Sequence, residues 1–223
     1  SVEDEIYDPI EPINRAIFSF NNVADRIILE PLAKGYKNLP SPMQNGISNF
    51  LSNLRTPLVI VNQFLQGQGE NAVQSTGRFV INSTVGIFGL FDVAERVGLE
   101  EKEEDYGQTL ATWGVGDGFY IVLPLFGPSN LRDTTGMVLT AMTDPINAFA
   151  VSEGEAWIVP MRTAANAVDQ RSKIIDEVNA LRDNSLDYYA AVRSSYYQNR
   201  KAAIMNTDDD VLTPLPLISI EFE

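Results

Sequence analysis

The 223-residue sequence contains neither cysteine nor histidine. The chain therefore lacks the commonest zinc ligands, the Ser-His-Asp and Cys-His systems of nucleophilic catalysis, and the one side chain that titrates near neutral pH unaided. Most familiar routes to covalent catalysis are closed to such a sequence. We expect a protein that is not an enzyme and that uses no metal or other cofactor.

Basic residues are also scarce. The sequence has 16 Lys and Arg against 30 Asp and Glu, which gives a formal net charge of -14 at pH 7. Nucleic acid is therefore not an expected partner, because phosphate backbones are bound through basic patches. Attraction to anionic lipid head groups by charge alone is disfavoured for the same reason. Any contact with a membrane would have to be apolar or covalently anchored.

Long apolar runs are missing, because no stretch reaches the roughly 20 predominantly apolar residues of a spanning helix. Residues 79–91 nevertheless carry no charge, contain three phenylalanines, and are interrupted by Gly86 and Gly89. Paired glycines are unusual in a core helix, since each costs roughly 1 kcal/mol relative to alanine. The two glycines predict a turn or a re-entrant bend within an apolar segment.

Helical periodicity dominates the first half of the chain. The first predicted helix starts near Ile13, and Pro31 is expected to end or kink it. A second helix is predicted around residues 43–54, a third that is apolar almost all round over residues 56–67, and a more polar fourth over residues 69–83. The predicted apolar face of the first helix consists of Ile17, Phe20, Ala24 and Ile27.

The second half offers one candidate for extended structure, at residues 119–129, which are rich in aromatic and β-branched side chains. Asn130 and Asp133 have the spacing of a helix cap, and so do Ser152 and Glu155, which predict the start of a long helix. The last predicted helix covers residues 186–203. Its stripe of tyrosines is compatible either with a core or with a membrane interface.

Two short motifs are interpreted conservatively. The acidic residues 100–105 predict a solvated loop, because they lack the alternating ligand spacing of a calcium-binding loop. The glycine-rich residues 114–119 predict a turn, because no strand precedes them and no Lys-Ser/Thr pair follows, as a phosphate loop would require.

At least seven helical segments and scarcely one strand predict an all-α protein. We expect an extended acidic arm at residues 1–12, one helical domain at residues 13–205, and an extended acidic, proline-containing tail at residues 206–223. Three apolar segments without a polar face, at residues 58–65, 79–91 and 119–126, suggest apolar surface outside the core. The alternative, an ordinary helical core that buries them, stays open on the pattern alone.

Four segments together resemble the VacJ/MlaA family of outer-membrane lipoproteins, at residues 8–42, 45–67, 77–94 and 104–133. The last third of the chain is similar to the family only in helical character. The motifs that are specific in combination are Asp8-Pro9 with Asn14-Arg15, Leu65-Gln66-Gly67, and Gly127-Pro128-Ser129 with Arg132-Asp133.

This resemblance implies a single ring-like or curved domain of about seven to nine helices with at most one short hairpin or strand. It implies a place in the periplasmic leaflet of the outer membrane beside trimeric porins, and an amphipathic channel that takes mislocalised phospholipid from the outer leaflet. The lipid would pass to a soluble periplasmic carrier, MlaC, without covalent chemistry, and lipid asymmetry would be maintained. The acylated cysteine of the family is absent, so we expect the lipid anchor to lie upstream of Ser1.

The same resemblance gives the bent apolar segments a role. One patch predicted to face acyl chains or line the lipid path is Ile87, Phe88, Leu90 and Phe91, and a second is Phe119, Tyr120, Leu123, Leu125 and Phe126. Polar candidates for the channel are Asn14, Arg15, Asn21 and Asn22, whose alternative role is capping and surface solvation. Gly86 and Gly89 are predicted to form a hinge, so that alanine at both would impair lipid flux and leave the fold intact.

Two other functions are weighed against transport. An enzyme could use the paired carboxylates of Asp92 and Glu95 for acid-base chemistry, although exposed solvation is commoner for such a pair. A purely structural scaffold would contact the membrane and a porin without conducting lipid.

Overall fold

The computed structural model describes residues 6–206; residues 1–5 of the predicted arm and residues 207–223 of the predicted tail lie outside the described residues. Within this range the chain forms ten α-helices and one two-stranded sheet, so the predicted all-α class with a single short hairpin is confirmed. No helix among the described residues combines the length and the apolar character that crossing a membrane requires.

Most helices follow one another with short connections, but residues 85–105 separate the fourth helix from the fifth and the hairpin lies between the fifth and the sixth. The helices are α1 (Glu11–Ala24), α2 (Glu30–Lys37), α3 (Ser41–Leu65), α4 (Gly69–Thr84), α5 (Tyr106–Thr112), α6 (Leu131–Thr143), α7 (Pro145–Ser152), α8 (Ile158–Lys173), α9 (Ile175–Asn184) and α10 (Tyr188–Met205). Strands β1 (Tyr120–Leu123) and β2 (Gly127–Asn130) pair antiparallel, with Tyr120 opposite Asn130.

A five-residue π-helical segment, Asp25–Leu29, joins α1 to α2 without a break. Pro31 lies in the first turn of α2, so it does not end the helical run, and the irregular π-helical turn directly precedes it. The π-helical segment buries the side chain of Asp25 and leaves Ile27 and Ile28 exposed. Irregularities of this kind are frequent at functional sites.

The predicted second and third helices are one 25-residue helix, α3, with Pro57 inside it. A proline inside a helix removes a backbone donor and clashes with the preceding turn. The structure keeps the helix continuous because α3 packs along α4, and such packing supplies most of the stability of a helix in a protein.

The predicted capping box at Ser152 and Glu155 is wrong. Ser152 is the last residue of α7, and its hydroxyl donates to the carbonyl oxygen of Phe149 at 2.8 Å. Gly154 follows with φ of 82°, a left-handed conformation that ends helices, and α8 begins only at Ile158. The long helix predicted from there is also interrupted at Ile174, where φ is -117°.

The second cap prediction is confirmed, because the side chain of Asn130 accepts a hydrogen bond from the backbone N–H of Asp133 at 2.7 Å. The tyrosine stripe belongs to the core. Tyr189 and Tyr196 of α10 pack with Tyr120 and Val122 of the hairpin, and all four side chains are buried.

The acidic residues 100–105 are only partly the solvated loop that was predicted. Glu104 is buried, and Asp105 caps α5 and forms two 2.6 Å hydrogen bonds with the guanidinium of Arg200. Both carboxylates have partners in the interior, because Arg200 of α10 pairs with Asp105 and the side-chain amides of Gln66 and Gln68 donate to Glu104. Residues 114–119 connect α5 to β1 through a turn, with positive φ at Gly114 and Gly118.

Candidate functional site

The distribution of phenylalanine and of charged side chains is inverted relative to an ordinary globular protein. Among the described residues no phenylalanine is fully buried, although phenylalanine is normally among the most buried residue types. Charged side chains occupy the interior instead: the buried arginines include Arg78, Arg132, Arg162 and Arg171. The exposed phenylalanines are Phe20, Phe64, Phe88, Phe91 and Phe149.

Residues 85–91, here called the outward turn, follow the end of α4 and present apolar side chains to the exterior. Phe88 is 74% exposed, and Ile87, Leu90 and Phe91 are exposed as well. The backbone of Ile87 and Phe88 has φ of 53° and 56°, a region that bulky residues rarely adopt. Such strain persists only where the surroundings hold it in place.

Polar side chains next to the outward turn stabilise its conformation. Asn82 accepts hydrogen bonds from the backbone N–H groups of Val93 and Ala94, both at 3.0 Å, and its side-chain amide donates to Asp92 at 3.1 Å. Asp92 also forms an ion pair with the buried Arg78. Because Asp92 is engaged in these bonds, it has a structural role in place of the acid-base role that was weighed for it.

The two glycines of the outward turn are required by close packing. A Cβ atom on Gly86 would lie 2.3 Å from the carbonyl oxygen of Phe91, and one on Gly89 would lie 2.5 Å from the Cβ of Asn53. Gly89 also has φ of 88°. The expectation that alanine at both positions would leave the fold intact is therefore wrong, whereas the hinge role itself stays a prediction.

A cavity of about 350 Å³, here called the inter-helix cavity, lies between the α1–α2 run on one side and α8, α9 and α10 on the other. The turn of the β-hairpin contributes to its wall through Leu125. Its apolar lining includes Phe18, Ile28, Leu29, Leu32, Ala164, Val168, Leu181 and Val192. Several of these side chains, such as Ile28 and Leu32, are more than half exposed, so the cavity opens to the surface.

One wall of the inter-helix cavity is charged, and Asp25 and Arg182 reach it. Arg171, which is fully buried, donates to Asp25 at 2.8 Å, and Arg182 donates to the other carboxylate oxygen at 2.8 Å. Arg182 also donates to Glu30 at 3.2 Å. These four side chains are here called the ionic cluster.

Two members of the ionic cluster, Arg182 and Glu30, have pKa values shifted toward their charged forms. Burial disfavours the charged form of Arg182, but its hydrogen bonds to Asp25 and Glu30 outweigh burial and raise its pKa. A hydrogen bond from Lys34 lowers the pKa of Glu30 against the opposing effect of burial. Two carboxylates and two guanidiniums therefore face one another at the edge of an apolar space.

The four polar candidates from the sequence separate into two groups. Asn14 is wrong as a channel residue, because its buried amide donates to Asp8 and to the carbonyl oxygen of Tyr120 and accepts from Val122. Arg15 is paired with Glu11 at 2.7 Å and with Asp187 at 2.6 Å, and it does not line the inter-helix cavity.

Asn21 and Asn22 do line the inter-helix cavity. Asn21 also fixes the hairpin turn, because it donates to the carbonyl oxygen of Leu123 at 2.8 Å and accepts from the N–H of Leu125 at 2.7 Å. The side-chain oxygen of Asn22 is buried and has no hydrogen-bond partner.

The second apolar patch is not one continuous outward surface. Tyr120 is fully buried in the core, so its prediction as a lipid-facing residue is wrong; it points inward because side chains alternate along β1. Phe119, Leu123 and Phe126 are half-buried. Leu125 is exposed, has φ of 66°, and lines the inter-helix cavity.

Sequence reasoning missed the ionic cluster and much of the apolar exterior around it. The predicted apolar face of the first helix does not enter the core as a unit, because Phe20 and Ile27 are more than half exposed. A signal was available, since Asp25 and Arg26 interrupt a run of apolar residues from Val23 to Leu29. Its partners were not identifiable, because Arg171 lies 146 residues further along the chain.

The fold and the site define a class: a helical protein with a charged, hydrogen-bonded interior, an apolar exterior and an amphipathic cavity. The family model described as MlaA lipoprotein matches residues 6–203, and the chain belongs to this family.

Named relatives support that membership. The chain is 36% identical over 197 residues to the intermembrane phospholipid transport system lipoprotein MlaA of Escherichia coli, covering 86% of this chain and 76% of that protein. It is 34% identical over 199 residues to the protein of the same name in Haemophilus influenzae, with 86% and 77% covered. An uncharacterized protein of Rickettsia prowazekii is 40% identical over 202 residues, with 90% and 79% covered.

A solved structure from work on the structural basis for maintenance of bacterial outer membrane lipid asymmetry has the same fold. The TM-score is 0.78 at 35% sequence identity, and the match covers 88% of this chain and 98% of the solved one.

Proposed function

We propose that this chain is a phospholipid transport component of the outer membrane, and that the inter-helix cavity is part of the path along which a phospholipid moves. The observation that carries the proposal is the cavity itself, about 350 Å³ of space with apolar walls and a charged cluster at one edge. A phospholipid has the same two chemical parts, apolar acyl chains and a charged head group. The names of the relatives support this assignment.

The exposed apolar side chains support a position of the protein in one leaflet of the membrane. Transfer of a phenylalanine or leucine side chain out of water contributes roughly 1.5–3 kcal/mol, so the exposed side chains of the outward turn could hold the protein in a membrane. A single acyl chain gives only marginal, reversible anchoring. The apolar exterior and a lipid anchor upstream of Ser1 would therefore act together in the periplasmic leaflet.

In this proposal the lipid enters from the outer leaflet, where it is mislocalised, and leaves toward a soluble periplasmic carrier, MlaC, so that lipid asymmetry is maintained. A trimeric porin is the expected neighbour in the membrane. These two partners and the direction rest on the family relationship, whereas the apolar surface and the cavity are properties of this chain.

The test is recovery of lipid with the protein. The full chain, purified in mild detergent, is incubated with vesicles of labelled phospholipid and analysed by mass spectrometry. Intact phospholipid bound to the protein is expected; cleaved product would indicate an enzyme, and reproducible absence of lipid would favour the scaffold. The matched variants are Ala164→Trp, which fills the inter-helix cavity from an exposed position of its wall, and Ala148→Trp, which adds the same bulk on α7 outside the cavity.

Loss of bound lipid in Ala164→Trp but not in Ala148→Trp is the expected result. Equal binding by both variants and the unmodified chain would place the lipid elsewhere and contradict the proposed path.

A further inference from the structure

The size of the inter-helix cavity limits what it can hold. Its volume is about 350 Å³. An apolar protein cavity of about 150 Å³ binds one benzene molecule. Carbon for carbon, the same proportion gives the inter-helix cavity room for about 14 carbon atoms, the length of one myristoyl chain. A phospholipid carries two acyl chains, so the cavity has space for one of them and not for both.

The lining of the cavity extends from an exposed rim to a buried inner wall. Ile28, Leu32 and Leu125 form the rim and are more than half exposed. Val178 of α9 and Val192 of α10 also line the cavity and are more than nine-tenths buried. Because rim and inner wall are both apolar, an alkyl chain that enters over the rim leaves water along its whole length. The arrangement suits a linear chain with its methyl end toward Val178 and Val192.

The charged groups at the edge of the cavity are engaged within the protein. Asp25 and Arg182 line the cavity and pair with each other at 2.8 Å. Arg182 also pairs with Glu30 at 3.2 Å, and Glu30 pairs with Lys34 at 2.6 Å. Asp25 has Arg171 as a second partner at 2.8 Å. A ligand therefore does not have to supply a charged group to this wall, and its apolar chain is the part that fills the cavity.

We propose that the inter-helix cavity holds a single acyl chain, so that lysophospholipids and other single-chain lipids are ligands of this protein. A diacyl phospholipid inserts one chain and keeps its second chain and its head group outside the cavity. The second chain stays in apolar surroundings, because the rim next to it is apolar. This inference deepens the proposed function and rests on it, because it assumes that the same cavity lies on the lipid path.

Cross-linking from the end of the acyl chain counts the chains in the cavity. The probes are a lysophosphatidylcholine with a diazirine at its chain terminus and a phosphatidylcholine with that group on both chains. The 223-residue protein is held in an amphipathic polymer, so that no single-chain detergent competes, and cross-linked peptides are identified by mass spectrometry. We expect both probes to label the peptides that contain Val178 or Val192, and the diacyl probe to label them through one chain only.

A competition experiment tests the capacity independently. Unlabelled lysophosphatidylcholine of the same chain length, in about tenfold molar excess over the diacyl probe, should lower diacyl labelling of these peptides about tenfold, because one bound chain fills the cavity. Ala164→Trp should lower labelling by both probes, whereas Ala148→Trp, on α7 outside the cavity, should leave it unchanged. The competition uses the unmodified protein, so it decides the inference even if Ala164→Trp disturbs folding.

The outcomes separate this inference from the proposed function. Labelling of the two peptides by both chains of one diacyl molecule, or diacyl labelling that the single-chain competitor does not reduce, would overturn the one-chain capacity and leave the lipid path standing. Labelling by the single-chain probe alone would support the capacity and contradict the path for phospholipids. Labelling by neither probe would overturn both.

Discussion

The outward turn and the tyrosine core place aromatic side chains in opposite environments. Phe88 is 74% exposed above a polar support, whereas Tyr120 is fully buried among Tyr189 and Tyr196. A hydroxyl explains the burial of two of these tyrosines, because Tyr189 donates to Asp8 and Tyr196 donates to Asp133. The hydroxyl of Tyr120 has no such partner, and its ring packs against those of Tyr189 and Tyr196. Phenylalanine has no such bond to offer. The comparison shows that hydrogen bonds and ion pairs organise the inside of this protein and that large apolar side chains lie on its surface.

The largest effect is expected from breaking the charged interior. Arg171→Met leaves Asp25 and Glu30 with only one buried guanidinium, and removal of one partner from a buried ion pair costs about 3–5 kcal/mol. Chemical denaturation of the detergent-solubilised protein measures the loss in free energy of unfolding. Arg26→Met, at an exposed position of the π-helical segment, is the control, and an equal small loss in both variants would contradict a stabilising role for the cluster.

The support of the outward turn is tested by Gly89→Ala. The new methyl group would meet Asn53 at 2.5 Å on a backbone with φ of 88°, so we expect a loss of about 2–3 kcal/mol in the free energy of unfolding. Gly67→Ala is matched, because Gly67 has φ of 77° and nothing within 4 Å of the added carbon. A smaller loss of about 1 kcal/mol is expected there, from the left-handed backbone alone. Equal stability of the two variants would show that the close approach to Asn53 does not affect the free energy of unfolding.

The pH dependence of folding stability distinguishes the buried carboxylate of Glu104 from the carboxylates that form ion pairs. Burial raises the pKa of Glu104 above its ordinary value of 4.5, although hydrogen bonds from Gln66 and Gln68 oppose the rise. The folded protein then binds this proton more tightly than the unfolded chain, so the contribution of Glu104 to stability falls as pH rises from about 4.5 through its folded pKa.

Subtracting the unfolding free energies of Glu104→Gln from those of the unmodified protein across this pH range isolates the effect. The difference should become less favourable to the unmodified protein as pH increases. A difference that is constant, or that grows with pH, would show that the carboxylate is not destabilised by burial.

The smallest effect on folding stability is expected for a substitution at the protein surface. Phe88→Ser removes an exposed side chain and should change the free energy of unfolding in detergent by less than about 0.5 kcal/mol. Its binding to vesicles should weaken by roughly 1.5–3 kcal/mol, because that side chain no longer leaves water. Val97→Ser, at an exposed apolar position outside the outward turn, is the control for solubility. A large loss of folding stability without weaker vesicle binding would show that Phe88 belongs to the folded core.

Local patterns in the sequence predicted local structure well. The glycine-interrupted end of α4 is a turn, Asn130 caps α6, and the hairpin is the extended element of the described chain. The errors arise where contacts between residues distant in the sequence determine the structure. The ionic cluster depends on Asp25 and Arg171, which are 146 residues apart, and no periodicity indicates such a pairing.

The candidate site was predictable only in outline. An uncharged bent segment indicated apolar surface at Phe88, but the same reasoning placed Tyr120 outside because it ignored the alternation of side chains along a strand. Asn14 and Asn22 look equivalent in the sequence, yet Asn14 pairs with β1 and Asn22 faces the inter-helix cavity. Contacts with other secondary-structure elements distinguish the roles of these two residues. A single sequence does not reveal such contacts.

The absence of cysteine allows a direct test of where the outward turn lies, because a single introduced thiol can be labelled without background. Spin labels at Phe88→Cys and at the exposed loop position Glu100→Cys would be compared in vesicles by their collision rates with oxygen, which concentrates in hydrocarbon, and with a water-soluble nickel complex. The label at position 88 should favour oxygen and the label at position 100 the nickel complex. Equal access of the nickel complex to both labels would contradict an outward turn seated in lipid.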